Sequence, residues 1–283
     1  MTGVVLTAIA AVAVGALVGV IAGLLGVGGG TILLPVFRLA FGLNALECTA
    51  TSLFTIIPTS ASGALSHARN KTCVPKLGLA MGLGGACTSW IGVNLAQISP
   101  SWAVMLAAAL AIGYSAITML RKALAIPKGA GLGGVRAGKG KADAESPAAF
   151  EVPEPPELNP KRLAFAFGIG VVAGLASGYI GLGGGFLMVP LMLSLLNMPM
   201  KLTSGTSLIA IAILALPATV IQCMLGNVDL IVGIAVACGS IPGASLGAKL
   251  TKRVPERTLR FAFAGMLLVG AVLLVVKETG LLG

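Results

Sequence analysis

Charge is what this chain has least of. Only 10% of its 283 residues are charged, and acids are scarcer than bases, nine Asp and Glu against nineteen Lys and Arg. A soluble domain carries roughly 25% charged residues, so an ordinary water-facing surface is excluded. Histidine occurs once, at His67, and the five cysteines (Cys48, Cys73, Cys87, Cys223, Cys238) have no C-x-x-C spacing. That scatter argues against a metal site or disulfide framework and predicts free, mostly buried thiols. No carboxylate falls in the middle of an apolar run, which removes the usual basis for a proton relay or an acidic Na⁺ site. An intramembrane serine hydrolase would need a serine paired with a histidine inside the bilayer. His67 instead lies near a helix end beside Arg69 and Lys71, and Ser177-Gly178 has Ala22-Gly23 as its repeat counterpart. No catalytic residue, cofactor or metal is expected. The net charge of +10 does not point to nucleic acid, because the basic residues lie between apolar runs, where membrane topology accounts for them.

What the chain has is apolar length. It is 57% hydrophobic with a mean hydropathy of +1.00, and several runs reach the roughly 20 residues needed to span a bilayer. An all-α polytopic membrane protein is expected. The first run, Val4 to Leu25, has no basic residue before it and reads as a retained helix rather than a signal peptide.

Two near-copies of one glycine block interrupt these runs. Gly26-Val27-Gly28-Gly29-Gly30 is followed five residues on by Pro35, and Gly181-Leu182-Gly183-Gly184-Gly185 by Pro190. The same offset of 155 residues carries Gly15, Gly19 and Gly23 onto Gly170, Gly174 and Gly178, Thr51-Ser52 onto Thr206-Ser207, and Gly92 onto Gly247. Residues 1–120 and 161–283 therefore read as two repeats, the usual construction of a secondary transporter. Between them, residues 121–160 contain Gly129-Ala-Gly-Leu-Gly-Gly134 and Pro153-Glu-Pro-Pro-Glu157. Such composition cannot bury a core and reads as a flexible cytoplasmic linker.

The expected helices are 4–25, 31–42, 45–66, 76–97 and 102–124, then 162–180, 186–197, 201–225, 230–250 and 259–276. The second of each set is only about 18 Å long at 1.5 Å per residue, against a hydrocarbon core of about 30 Å. Each is expected as the return arm of a broken, re-entrant hairpin. If the short helices are ignored, the nineteen basic residues divide twelve to seven between the two faces. If each short helix returns the chain to its starting side, all but Arg38 and Lys277 collect on one face. The positive-inside rule selects the second arrangement. It predicts two inverted repeats, eight full spans plus two short helices, with the linker in the cytoplasm and both termini outside.

Inverted hairpins bring their glycine turns together near the midplane. The short helices begin there, at Thr31 and Phe186, and a helix N-terminus offers unpaired amides and the positive end of its dipole. Glycine permits the left-handed backbone of an anion-binding nest and close approach of a ligand. The candidate substrate-binding residues are Gly28, Gly29, Gly30, Thr31, Thr51 and Ser52, with Gly183, Gly184, Gly185, Phe186, Thr206 and Ser207. His67 and Gln222, which share one repeat position, are secondary candidates; the bland reading of His67 is a solvated residue at the interface. Gly15, Gly19, Gly23 and their mates read as a packing face, Glu47 as a first-turn acid, and Asp229 as an N-cap.

The paired G-x-G-G-G-x-x-x-x-P blocks resemble those of the TauE/SafE family of bacterial membrane transporters. So do the Thr-Ser pair downstream of each and the segment Gly239-Ser-Ile-Pro-Gly-Ala-Ser-Leu-Gly247 with its following basic residues. The resemblance covers nearly the whole chain outside the linker. It implies a bacterial inner-membrane protein moving small sulfur-containing or organic anions such as sulfite and sulfonates. Thr31 opposite Phe186 and Cys87 opposite Pro242 depart from strict two-fold equivalence. The expected function is export of sulfite or an organosulfonate, because a negative cell interior favours anion exit by about 2.3 kcal/mol per charge per 100 mV. An anion channel, or proton-coupled uptake of a sulfonate or carboxylate, stands as the alternative.

Overall fold

The computed structural model describes residues 2–124 and 159–278, with side chains described from residue 9 to 273 within those limits. Most of the expected linker lies outside the described residues. All regular structure among the described residues is helical. In chain order the helices are α1 (Thr2–Leu25), α2 (Gly30–Ala40), α3 (Ala45–Arg69), α4 (Pro75–Ile98) and α5 (Ser101–Leu124), then α6 (Pro160–Ile180), α7 (Gly185–Leu195), α8 (Met200–Met224), α9 (Leu230–Leu250) and α10 (Glu256–Glu278). The starts of α2, α3, α4 and α5 at 30, 45, 75 and 101 recur at 185, 200, 230 and 256, each 155 residues on.

Among the described residues, five helices, α4, α5, α6, α8 and α9, are long and apolar enough to cross a membrane by length and composition. Eight spans were expected, and the side chains of α1 and α10 are described only from residue 9 and up to residue 273. The α3 helix has 25 residues but is threaded with Ser and Thr, and α2 and α7 have 11 residues each. The chain is a multi-pass membrane protein.

Local signals set the helix ends. Asn44 accepts from the Glu47 N–H at 2.9 Å while Glu47 accepts from the Asn44 N–H at 2.9 Å, a reciprocal capping box that gives the first-turn acid its expected role. Asp229 caps α9 through the Ile231 and Val232 amides, both at 3.0 Å. Pro75 and Pro160 sit in the first turns of α4 and α6, where a missing N–H leaves no ladder bond unmade.

The helices pack through glycine. Gly15, Gly19 and Gly23 of α1 lie directly on the carbonyls of Val236, Ser240 and Ala244 of α9, while Gly239, Gly243 and Gly247 press on α1 in return. The same contact recurs between α6 and α4, with Gly170, Gly174 and Gly178 of α6 against Met81, Gly85 and Ser89 of α4. No side chain fits at these crossings, so backbones meet in van der Waals contact, as small-xxx-small faces allow. The packing role expected for this glycine ladder is the one observed.

The order of these contacts also fixes helix directions. Residue numbers rise together along α1 and α9, and along α6 and α4, so each pair runs parallel. The α3 and α9 helices are parallel too, joined by Thr51 to Asp229, Thr59 to Ser240 and Ser66 to Ser245. Likewise α4 and α8 are joined by Val74 to Thr206 and Gly82 to Ile213. Along α3 and α8 the numbers run oppositely, with His67 against Gly205 and Gly63 against Leu208. Thus α1, α3 and α9 point one way and α4, α6 and α8 the other.

One expectation about side chains fails. All five cysteines are free, but only Cys48 is buried, while Cys87, Cys223 and Cys238 are exposed. Their surroundings on a membrane helix are apolar on the outer face as well, so hydrophobic character did not imply burial.

Candidate functional site

Each glycine block ends one helix and starts the next. The Gly26 N–H still bonds the Ala22 carbonyl at 2.8 Å, and the Gly181 N–H bonds Ser177 O at 2.7 Å. The chain then turns through left-handed φ values at Gly28 (79°) and Gly29 (88°), matched by Gly183 (79°) and Gly184 (71°). Residues with a Cβ resist this region, which explains the glycine run. The α2 ladder opens with the Ile32 and Leu33 amides on Gly29 O, and the α7 ladder with the Leu187 and Met188 amides on Gly184 O. The amides of Gly30 and Thr31, and of Gly185 and Phe186, therefore lie ahead of their ladders.

The two turns meet. A Cβ at Gly30 would stand 2.6 Å from Leu182 O, and one at Gly185 would stand 2.7 Å from Val27 O. Ile56 of α3 and Ile211 of α8, repeat mates of each other, pack on both Gly28 and Gly183. These residues lie near the middles of their helices, so the meeting point is at mid-height. Every residue from Gly26 to Thr31 and from Gly181 to Phe186 is buried. The residues closest to the turns are aliphatic, serine or threonine, with no charged side chain among them. A separate groove of about 370 Å³ opens between α3 and α8, lined by Phe54, Ile57, Pro58, Leu216 and Val220 among others; none of the glycines line it.

The remaining candidates divide. The side chains of Thr31 and Phe186 turn away from the meeting point. The Thr31 hydroxyl lies 3.9 Å from Met266 Sδ on α10, and Phe186 belongs to the apolar core with Leu33, Phe37 and Phe263. The Thr51 and Thr206 hydroxyls instead clamp the starts of α9 and α4. Thr51 Oγ1 accepts from the Asp229 N–H at 3.0 Å, and Thr206 Oγ1 from the Val74 N–H at 2.9 Å, each worth about 1 kcal/mol when buried. Ser207 Oγ donates to Gly26 O at 2.6 Å and so touches the first turn directly. Its mate Ser52 is buried and its Oγ makes no hydrogen bond.

His67 is not a solvated interfacial residue. It is fully buried, wedged against Gly205, with Nε2 at 2.8 Å from Gly23 O and Nδ1 at 2.7 Å from Thr72 Oγ1. A carbonyl only accepts, so Nε2 carries the proton and in the neutral ring Nδ1 accepts from Thr72. Gln222, 155 residues on, makes the matching contact: its Oε1 accepts from Asn227 at 2.8 Å and also from Gln97 at 3.3 Å. Three buried serines near or on the turns' neighbours, Ser60, Ser89 and Ser177, also make no hydrogen bond. The sequence offers no recurring pattern for Ser60 and Ser89, whose counterparts 155 residues on are Ala215 and Ala244, and Ser177 is weighed there only as a nucleophile and set aside because Ala22 is its counterpart.

A buried pair of left-handed glycine turns between broken helices is a transporter feature, since irregular backbone at membrane depth persists only where protein buries it or a pathway needs it. Comparison with known proteins agrees. The chain is 28% identical over 263 residues to the probable membrane transporter protein YdhB of Bacillus subtilis (strain 168), covering 89% of this chain and 96% of that one. It is 27% identical over 257 residues to the probable membrane transporter protein YunE of the same organism, covering 88% and 90%. A probable membrane transporter protein of Xylella fastidiosa (strain 9a5c) is 26% identical over 240 residues, covering 84% and 83%. No solved structure matches the chain. The family model of the sulfite exporter TauE/SafE matches residues 11–274. With that match spanning nearly its whole length, the chain belongs to the TauE/SafE family and is a membrane transporter rather than an enzyme.

Proposed function

We propose that the chain exports a small anion, sulfite or an organosulfonate, and binds it between the two glycine turns. The observation that carries this reading is the approach of Gly30 to Leu182 and of Gly185 to Val27. It directs the N-termini of α2 and α7, with their unpaired amides, to one buried point. Two helix N-termini make an anion site without a cationic side chain. Neutral donors suit a carrier, whose ligand must also leave.

The architecture belongs to the same proposal: two inverted repeats, each a broken hairpin plus three crossing helices, in the bacterial inner membrane. Its support is that α1 and α3 run parallel although α2 lies between them, while the mates α3 and α8 run antiparallel. The first relation makes each short helix a return arm and the second makes the repeats opposed. Helix directions then gather Arg69, Lys71, Lys76, Arg121, Lys161, Lys201 and Lys252 at one end, which the positive-inside rule assigns to the cytoplasm, leaving both termini outside.

The test is flux in proteoliposomes with sulfite, sulfoacetate, methanesulfonate, sulfate and simple carboxylates. Saturable flux of a sulfur oxyanion, lost in Gly29→Val or Gly184→Val while the protein stays folded, is expected. Flux of none of them through the unsubstituted chain rejects the proposal. Flux that does not saturate converts the carrier into a channel.

A further inference from the structure

Hydroxyls in α3 and α8 use the option a membrane helix offers and bond a carbonyl one turn back, five of them at i−4. Thr55, Thr59 and Thr206 donate to Thr51, Thr55 and Leu202 at 2.8, 2.7 and 2.7 Å. Ser60 and Ser177 do not. Both are fully buried and neither hydroxyl has a partner. Leaving a buried donor unmade costs roughly 1–3 kcal/mol, and native structures hold few such groups.

Both lie at the turns. Ser60 Oγ stands 3.1 Å from where a Cβ of Gly28 would be, and Ser177 Cβ stands 3.6 Å from that of Gly184. Their repeat mates are Ala215 and Ala22, and Ala22 packs on Gly29 at 3.5 Å in the corresponding way. The fold is therefore content with alanine at either position. The hydroxyls are surplus to packing, and each turn receives one.

We infer that Ser60 and Ser177 are the side-chain hydroxyls that hold the substrate between the turns, and that this site selects a singly charged oxyanion. This rests on the glycine turns being the anion site. Two unpartnered donors, one beside each turn, suit a ligand with at least two acceptor oxygens. Charge class follows from the neutral surroundings. The cost of removing an ion from water grows as the square of its charge, while the return from uncharged donors grows about linearly. A dianion such as sulfate is excluded where no cation offsets it, and a sulfonate or hydrogensulfite is accepted.

The experiment uses the full chain in proteoliposomes with methanesulfonate, sulfite and sulfate as probes, alongside thermal unfolding in detergent. Ser60→Ala and Ser177→Ala should each raise the half-saturating concentration roughly tenfold, the loss of one good hydrogen bond. In the absence of anion their unfolding midpoints should equal or exceed that of the parent, because an unmade buried donor has been removed. Ser89→Ala, which deletes another unpartnered hydroxyl on α4, should transport like the parent. Unchanged half-saturation in both Ser60→Ala and Ser177→Ala, with the parent still saturable, overturns the serine assignment and leaves the anion site standing. Sulfate carried as well as methanesulfonate overturns the charge selection. No saturable flux of any probe through the parent removes the anion site and this inference together.

Discussion

The two glycine turns share one backbone and differ in what holds them. At the first, three side chains cap the carbonyls that α1 exposes as it ends. His67 bonds Gly23 O at 2.8 Å, Thr251 bonds Leu24 O at 3.1 Å, and Ser207 bonds Gly26 O at 2.6 Å. At the second, the equivalent positions hold Gln222, Ala96 and Ser52. The Gln222 Nε2 and the Ser52 hydroxyl make no bond, and alanine has none to offer. Both turns keep the left-handed glycines, which no other residue replaces cheaply, while the side-chain ties differ. The first turn is tied by hydrogen bonds as well as packing; the second rests on packing. Stability is distributed unevenly in such a fold, and substitutions at equivalent positions should reveal it.

The largest contrast concerns sidedness. In a background without native cysteines, Asn70→Cys and Leu225→Cys occupy matching loops of the two repeats. Asn70→Cys should react with an impermeant thiol reagent only from the cytoplasmic face and Leu225→Cys only from the other. Reaction of both from one face would end the inverted arrangement. A cysteine placed within residues 130–150 should label with Asn70→Cys.

Next comes flux. Valine at Gly29 or Gly184 must adopt φ of 88° or 71°, which costs of order 1–3 kcal/mol for a β-branched residue, and it crowds Val18 in the first case and Leu214 in the second. Transport should fall by about 100-fold in both, since a misplaced binding group of about 1 Å has that effect in positioned sites. Full transport by one of the two would show that a single turn carries the ligand.

Stability differences are smaller and unequal. His67→Ala leaves a cavity and strands Gly23 O, so it should lower unfolding free energy by about 2–4 kcal/mol. Gln222→Met, which replaces an amide already lacking one partner, should cost less than about 1.5 kcal/mol. Equal losses on thermal or denaturant unfolding would erase the distinction between the turns. The smallest effect is the most specific one. Ser207→Ala should destabilise by about 1 kcal/mol, whereas Ser52→Ala should be neutral or slightly stabilising.

Much of the fold was legible beforehand. Helix starts and ends agree within a few residues, because apolar runs, prolines at first turns and capping residues such as Asn44 and Asp229 act locally. The glycine ladder of α1 announced close helix packing, though not that its partner would be α9 of the other repeat. Candidate site residues were harder. Thr51 and Thr206 recur in both repeats, and recurrence suggested ligand binding. Their partners turned out to be backbone amides at the starts of α9 and α4, more than a hundred residues away. His67 looked like a solvated residue because Arg69 and Lys71 follow it; burial against Gly23 and Gly205 is a contact between elements that no local pattern encodes. Ser177 was set aside as a nucleophile because its counterpart is Ala22, and Ser60 stood out by no pattern because its counterpart is Ala215.

The sequence alone determined that the chain lives in a membrane and that its helices break at two glycine blocks. Each follows from hydropathy or backbone sterics, which act within a few residues or through the bilayer as a common solvent. Tertiary structure decided which helices cross in parallel, that the two turns touch at Leu182 and Val27, and which hydroxyls are left unbonded beside them. Those outcomes depend on pairings between residues far apart in the chain, and a hydroxyl's partner, or its lack of one, exists only once distant helices have met.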